Sequence, residues 1–358
     1  MGVYFALLLI PVSIQHFAVK EEKVNYTKKN RLALLFFFSF LTLLIMLRHE
    51  SVGSDTRNYI DFFERFRRMP WGDVGKDSLE FGFAYFNKII SFFVTDPRVF
   101  LAIAAITVSA MIYPTYRRLC TDASLTIVLY CFMSTFVMMF SGMRQMIAIG
   151  IGFIAYEFTR KKKLGSFILI AIVAISFHTS AFMLLFMYPL YHAKITKKWL
   201  YAVIPILIAI FVFNEQVFLF IINILEKYTK YDGTITKTGA YVMLILFAFF
   251  AVFVFLIPEE SLLDEETVGL RNFLLLSLIV QMFAPLHAIA MRMSYYYIIF
   301  IPLLIPKIIK FRSKRWEQVA VLGRHIMVVF FLAYFFFSAY TKDNNLNVFP
   351  YHFFWEVL

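Results

Sequence analysis

The sequence predicts an all-α protein that crosses a lipid bilayer many times. Hydrophobic residues make up 61% of its 358 residues and charged residues only 16%, whereas soluble globular domains carry roughly 25% charged residues. Apolar runs recur from one end of the chain to the other, each close to the roughly 20 residues that cross a ~30 Å hydrocarbon core. A water-facing fold could not bury this much apolar surface, so lipid is the expected solvent for most of the chain.

Twelve apolar segments are predicted to cross the membrane, within a single transmembrane domain that spans residues 1–358. The first is expected to be a retained helix, because no basic residue precedes it and no small-residue cleavage site follows it. The segments are 3–18, 32–47, 98–114, 123–140, 145–159, 165–177, 180–193, 198–214, 239–257, 270–288, 294–311 and 322–340.

The basic residues between these segments predict the orientation of the helices. Short loops rich in Lys and Arg stay in the cytoplasm. The basic stretches share one side if the chain starts outside, residues 48–97 do not cross, and 165–193 turns at His178-Thr179-Ser180. The net charge of +12 then faces anionic lipid, and no soluble basic domain is left to bind nucleic acid. The stretches are 20–31, 117–118, 160–163, 194–198 and 307–315.

Two external loops are predicted, at 48–97 and 215–238. The first half of the 48–97 loop carries aromatic residues at helical spacing beside arginines, which is typical of an amphipathic helix on the membrane interface. Residues 80–94 are predicted to form a re-entrant or interfacial helix, since a crossing there would place 160–163 outside. Residues 217–228 form a second candidate of this kind. The aromatic residues are Tyr59, Phe62, Phe63 and Phe66, and the arginines are Arg57, Arg65 and Arg67.

Seven polar residues at the membrane edges fall on the external side of this topology. An ionisable residue at the centre of a membrane helix costs at least ~2.5 kcal/mol, so such residues usually line a cavity or pair with each other. Carboxylates and a histidine could supply a general base for a sugar hydroxyl, and arginines could bind a pyrophosphate leaving group bidentately. The seven are Arg48, Asp55, Glu80, Arg144, Gln145, His178 and Arg292.

Each of these residues also has a purely structural interpretation. Asp55 and Glu80 could cap the helices that follow them. His178 could be a hydrogen-bonded core histidine. Arg144-Gln145 interrupts an apolar run that needs a turn, although turns favour Gly or Asn over Arg. Snorkelling to the interface is the alternative for the remaining two arginines, Arg48 and Arg292.

No cofactor or metal is predicted, since no metal-ligand spacing, phosphate-binding glycine loop or dinucleotide motif is present. The polar residues instead form an ordered set of short motifs. The set is Arg48-x3-Val52-Gly53-Ser54-Asp55-Thr56-x2-Tyr59, then Glu80-x-Gly82, then Arg144-Gln145, then His178-Thr179-Ser180-Ala181. In this order, over residues 48–181, the set resembles the EpsG family. Members of that family are associated with exopolysaccharide and O-antigen production and are similar to Wzy-type repeat-unit polymerases.

The resemblance implies a GT-C-like glycosyltransferase of the bacterial plasma (inner) membrane, with its active site on the extracytoplasmic side. It would polymerise undecaprenyl-pyrophosphate-linked oligosaccharide repeats into O-antigen, capsule or exopolysaccharide. The expected partners are polyprenyl-pyrophosphate-linked donor and acceptor, membrane lipid and a chain-length regulator protein. By analogy Asp55 is the leading catalytic carboxylate, with Glu80 and His178 beside it. The expected substrate-binding residues are Arg48, Arg144, Gln145, Arg292 and Tyr59.

Two other functions fit parts of the pattern. One is a transferase that adds a single sugar from a polyprenyl-phosphate donor. The other is a transporter or flippase of lipid-linked saccharides. Against transport, the sequence shows no internal inverted repeat, and its ionisable residues gather on one face instead of forming a relay through the membrane. A membrane acyltransferase is a weaker alternative that His178 alone does not exclude.

Overall fold

The computed structural model describes residues 2–16, 23–224, 241–341 and 346–357. Within these ranges the regular structure is helical, apart from two isolated backbone bridges. The all-α prediction is therefore confirmed. Helices cover most of the described part of each of the twelve predicted segments, with breaks inside several of them, such as residues 282–287 of the predicted segment 270–288.

The chain divides into two compact units, Met1–Leu185 with Val321–Leu358 (unit 1) and Phe186–Ala320 (unit 2). Most of α17 belongs to unit 1, together with the first nine helices. These are α1 (Gly2–His16), α2 (Lys23–Leu47), α3 (Thr56–Arg68), α4 (Phe81–Phe93), α5 (Pro97–Leu119), α6 (Ala123–Phe132), α7 (Ser134–Ser141), α8 (Met143–Arg160), α9 (Leu164–Phe177) and α17 (Glu317–Thr341).

Unit 2 contains seven helices among its described residues. They are α10 (Met187–His192), α11 (Lys197–Val212), α12 (Asn214–Ile224), α13 (Tyr241–Leu256), α14 (Glu265–Gln281), α15 (Ala288–Ile298) and α16 (Ile301–Lys310). The fully buried Arg271 of α14 is paired with Glu260 at 2.8 Å, and Lys307 of α16 lies 3.5 Å from Asp264. The acidic loop 259–266 thus neutralises basic side chains of its own unit.

Three helices in the described residues are long and apolar enough to cross a membrane: Thr27–Leu47, Pro97–Leu119 and Lys314–Thr341. If each of three bent helix pairs counts as one span, the described residues contain up to six. One bent pair, α6 with α7, replaces the straight segment predicted at 123–140. The bend is 65°, because Met133 has an extended backbone (ψ 143°) that stops the helix. The count of twelve crossings stays a prediction.

A polar network joins several helix ends at one end of unit 1. The buried Asp122 caps α6 by accepting a hydrogen bond from Leu125 N at 3.1 Å. It also accepts from Gln15 at 3.1 Å and from Arg324 at 2.5 Å. Asn30 donates to the carbonyl of Thr121 at 3.2 Å nearby. The helix ends at this end of unit 1 lie beside the described basic residues of three stretches, 28–31, 117–118 and 160–163.

Helices α3 and α4 lie in the predicted external loop 48–97. The apolar face of α3 is buried against protein: Phe63 stacks on Phe100 of α5 at 4.7 Å, and Tyr59 lies edge-on to Phe83 of α4. α3 is therefore amphipathic as predicted, but its aromatic residues pack on neighbouring helices. α4 instead leaves large apolar side chains exposed, including Phe92 and Phe93, which fits the predicted interfacial helix at 80–94.

In unit 2, the chain turns by 82° between α11 and α12. Phe218 of α12 packs with Phe283 and Leu286, which holds the helix against the end of α14. The re-entrant or interfacial helix predicted at 217–228 stays a prediction, and its residues 225–228 lie outside the described residues. Residues 225–238 of the predicted second external loop lie outside the described residues.

Candidate functional site

The motif that begins at Arg48 forms a tight turn between α2 and α3. Gly53 has a φ of +87°, and a Cβ there would collide with the Phe140 carbonyl oxygen, so only glycine fits. Thr56 donates to the carbonyl of Val52 at 2.7 Å, and Ser54 Oγ lies 2.6 Å from Ser141 Oγ. The turn is thereby fixed to the end of α7, just before Arg144 of α8.

Glu80, Arg144 and His178, which we call the Glu80 cluster, meet at this end of unit 1. Glu80 Oε2 accepts a hydrogen bond from Arg144 Nη1 at 2.6 Å, and Glu80 Oε1 lies 3.2 Å from His178 Nδ1. The backbone N–H of Thr179 also donates to Glu80 Oε1, at 3.3 Å. One carboxylate thus joins three motifs that are far apart in the sequence.

The close approach of α4 to α9 positions this carboxylate. Gly82 lies in the first turn of α4, and a Cβ there would collide with Ser176 near the end of α9. Glu80 precedes α4 and His178 follows α9. The absence of a side chain at Gly82 therefore lets both residues approach each other.

Replacing this glycine should disturb the cluster. We expect Gly82→Ala to separate α4 from α9, to lower activity strongly and to destabilise the fold by about 1–3 kcal/mol, because overpacking costs that much. Thermal unfolding and product formation per mole of folded protein measure the two effects. Gly72→Ala is the matched control, since a Cβ there meets nothing within 4 Å. Equal activity of the two variants would contradict the positioning role of Gly82.

Tyr59 and Asp55 lie beside the cluster on one face of α3. The buried Tyr59 makes a hydrogen bond with Arg144, and Arg144 also lies over the ring of Phe83 at 6.0 Å. Burial raises the pKa of the Tyr59 hydroxyl; the charge of Arg144 opposes this rise and the charge of Asp55 adds to it. The carboxylate of Asp55 is therefore close enough to Tyr59 to act on its ionisation.

The capping interpretation fails for both carboxylates. Asp55 precedes α3 and Glu80 precedes α4, but neither side chain makes a capping hydrogen bond. Glu80 is used by Arg144 and His178 instead. Asp55 is half-buried, and among the described residues its carboxylate has no ion-pair partner. A carboxylate left unpaired beside a paired cluster is available to a substrate.

The pKa of the Glu80 carboxyl indicates the role of this residue. Burial would raise the pKa of the Glu80 carboxyl, but the close contact with His178 and the charge of Arg144 lower it to about 2. A general base works best with a pKa near the operating pH. Glu80 is therefore poorly suited to move protons and well suited to hold Arg144 and His178.

The remaining predicted residues have different surroundings. Arg48 is buried and donates to Thr56 Oγ1 at 3.1 Å, and it also donates to the carbonyl of Ile45. Arg48 is thus fixed in the turn and does not snorkel. Gln145 is buried in the first turn of α8. Arg292 is exposed in α15 of unit 2, where its charge acts on His287.

The C-terminal segment 346–357 is also part of this region, although it was not predicted from the sequence. His49 N donates to the His352 carbonyl at 2.8 Å, and Gly53 N donates to the Asn347 carbonyl at 3.1 Å. Phe354 belongs to the same segment, and the guanidinium carbon of Arg98 lies 4.7 Å from the centre of its ring. The segment is rich in aromatic residues and follows the last predicted span. Its aromatic content is the one sequence feature that could have predicted its role.

Together the helices and the cluster define a membrane protein with an ionic site at the ends of its helices. The model of the EpsG family matches residues 31–353, and the chain belongs to this family. The match is longer than the stretch 48–181 that carries the motifs, and it includes Arg292. Membership of this family suggests a membrane protein of the exopolysaccharide or polymerase type. No curated protein and no solved structure matches the chain.

Proposed function

We propose that this protein is a glycosyltransferase that polymerises undecaprenyl-pyrophosphate-linked oligosaccharide repeats into O-antigen, capsule or exopolysaccharide. The reaction would take place on the extracytoplasmic face of the plasma membrane, in a GT-C-like arrangement of twelve crossings. The observation that carries the proposal is the convergence of Glu80, Arg144 and His178 beside the unpaired Asp55. Family membership supports the same class of reaction.

The residues fit the charge changes of such a transfer. An acceptor sugar hydroxyl attacks the anomeric carbon of the donor, the bond from that carbon to the pyrophosphate oxygen breaks, and the hydroxyl proton passes to a base. Asp55 is the proposed base, because it carries an unpaired carboxylate. Arg144 would stabilise the negative charge that develops on the leaving pyrophosphate. Glu80 would act as a positioning residue for Arg144 and His178.

Incubation of the purified protein with a lipid-pyrophosphate oligosaccharide tests the proposal. A ladder of products that differ by one repeat unit is expected. A single added sugar from a polyprenyl-phosphate donor would instead support the single-transfer alternative. Absence of any product with either donor would contradict the enzymatic proposal.

The distribution of polar groups in unit 1 favours an enzyme over a flippase. A flippase needs polar groups through the whole depth of its path. The Glu80 cluster lies at one end of the unit and the Asp122 network at the other end. The hydroxyl pair Thr42–Ser109, at 2.6 Å, lies between α2 and α5, and no ion pair among the described residues of unit 1 bridges the two ends.

The proposed orientation predicts a labelling pattern. Ser54 contacts Ser141, which lies just before α8, and Lys162 follows the other end of this 18-residue helix. At 1.5 Å per residue the two positions are about 27 Å apart along the helix. In a cysteine-free background, Ser54→Cys should react with an impermeant maleimide in intact cells, and Lys162→Cys should not. Lys237→Cys, which lies outside the described residues, should also react, and Ser313→Cys should not. Labelling of Lys162→Cys would overturn the orientation.

A further inference from the structure

A cavity of about 280 Å³ lies beside the turn that follows α2. Its volume is close to the lower end of small-molecule sites, about 300 Å³. Thr56 and Ile60 of α3 line one side of the cavity, and Arg48 and Arg98 line other sides. Thr56 and Ile60 each follow a residue of the other pair, Asp55 and Tyr59, by one position. The cavity and the Glu80 cluster therefore lie on adjacent faces of α3.

Arg48 is a buried cation without a counter-ion. Only 4% of it is exposed, and its two hydrogen bonds go to a hydroxyl and a carbonyl. No carboxylate of the described residues lies within 4 Å of its guanidinium. A buried unpaired charge is costly, and such charges are normally paired. Three other buried or partly buried arginines are paired in this way: Arg144 with Glu80, Arg271 with Glu260, and Arg324 with Asp122.

Arg98 supplies a second cation to the same cavity. It lies in the first turn of α5, its side chain is exposed, and its guanidinium carbon lies 4.7 Å from the ring centre of Phe354. No carboxylate of the described chain pairs with it. Glu50 and His49 also line the cavity, but the Glu50 carboxylate lies 3.9 Å from Arg57. The two unpaired guanidinium groups therefore set the local charge.

The C-terminal segment makes the cavity wall a fixed part of the fold. Phe354 N donates to the Leu47 carbonyl at 2.9 Å, and Phe353 forms a backbone bridge with Arg48. Tyr351 donates to the Leu44 carbonyl at 2.8 Å. The ring of Phe354 is thus held against the end of α2, where it stacks with Arg98.

An apolar crevice adjoins the cavity. It shares Arg48 and Leu101 with the cavity and continues along α5 to Val108, with Ile45 and Met146 on its other sides. This apolar space measures only about 20 Å³, which is close to the room that one water needs. The cavity and its two cationic groups therefore match the anionic head of a ligand and not its chain. Guanidinium groups suit phosphate oxygens because their donors form a planar fork.

We propose that this cavity binds the diphosphate group of a lipid-linked saccharide, with Arg48 and Arg98 as its cationic ligands and Phe354 as its wall. The identity of the lipid rests on the proposed function. Arg48 and Arg98 hold the diphosphate, while Arg144, which pairs with Glu80, faces the oxygen that leaves the sugar.

Binding of farnesyl pyrophosphate to the full chain in detergent micelles tests this assignment without turnover. The Arg98→Ala variant should weaken binding about tenfold or more, because a hydrogen bond to a charged group is lost. Phe354→Ala should weaken it as well, since the stacked guanidinium loses its support. Arg68→Ala is the matched control, because Arg68 is an exposed arginine of the same loop. Thermal unfolding of each variant confirms that it is folded.

Three results would overturn the assignment. The first is unchanged affinity in both Arg98→Ala and Phe354→Ala. The second is binding that depends on an Arg144→Ala change and not on Arg98, which would place the diphosphate at the Glu80 cluster. The third is an equal affinity for inorganic pyrophosphate, which would assign the cavity to a free anion. Because the assay needs no product, Arg98-dependent binding without a ladder would leave the site standing and remove the polymerase proposal.

Discussion

Asp55→Asn is expected to lower turnover by about 10²–10⁴-fold, the usual cost of losing a general base. Asn keeps the size of the side chain but cannot accept a proton. Were Asp55 only a helix cap, this change would cost little, because Asn caps about as well as Asp. The structure already shows no capping hydrogen bond from this side chain. The effect should therefore be on turnover and not on folding.

Product formation per mole of folded protein, with thermal unfolding alongside, measures this effect. Asp61→Asn is the matched control, since Asp61 is an exposed carboxylate on the same helix, and it should retain normal turnover. Near-normal turnover in Asp55→Asn would remove Asp55 from the catalytic residues. The search for the base would then move to His178, whose ring lies beside Glu80.

Arg144→Lys is expected to lower turnover by about hundredfold, comparable to the loss of one donor that stabilises transition-state charge. Lysine keeps the positive charge but loses the planar fork that serves several acceptors at once. In this structure the fork contacts Glu80 and Tyr59 together. A single ammonium group cannot keep both contacts and also face a leaving group.

Arg67→Lys provides the comparison for this substitution. Arg67 pairs with a glutamate as Arg144 does: two of its nitrogens donate to Glu64, at 2.8 and 3.2 Å. Arg67 lies in the last turn of α3. We expect near-normal turnover from Arg67→Lys and normal membrane insertion from both variants. If Arg144→Lys retained most of its activity, the planar fork would be dispensable and Arg144 would have only a structural role.

The sequence alone determined the helices and the family. Apolar runs of membrane length predict helices because an isolated backbone in lipid must satisfy its own hydrogen bonds. The four motifs between Arg48 and Ala181 were sufficient to suggest the EpsG family, to which the chain belongs. The amphipathic pattern of α3 was also visible, since its period is a local property of the chain. What covers its apolar face was not visible, because that depends on the distant Phe83 and Phe100.

Only the tertiary structure decided which polar residues meet. Glu80 and Arg144 are 64 residues apart, and as far as the sequence showed, Glu80 could have been a helix cap and Arg144 part of a turn. Their contact depends on the close approach at Gly82, which no periodicity encodes. In the same way, the sequence named Arg48 as a substrate-binding candidate, but it did not show that Arg98 and Phe354 line the same cavity. That arrangement exists because segment 346–357 returns to the end of α2. The charge of each residue follows from the sequence. Which charged residues pair depends on the distances between them, and the packing of the helices sets those distances.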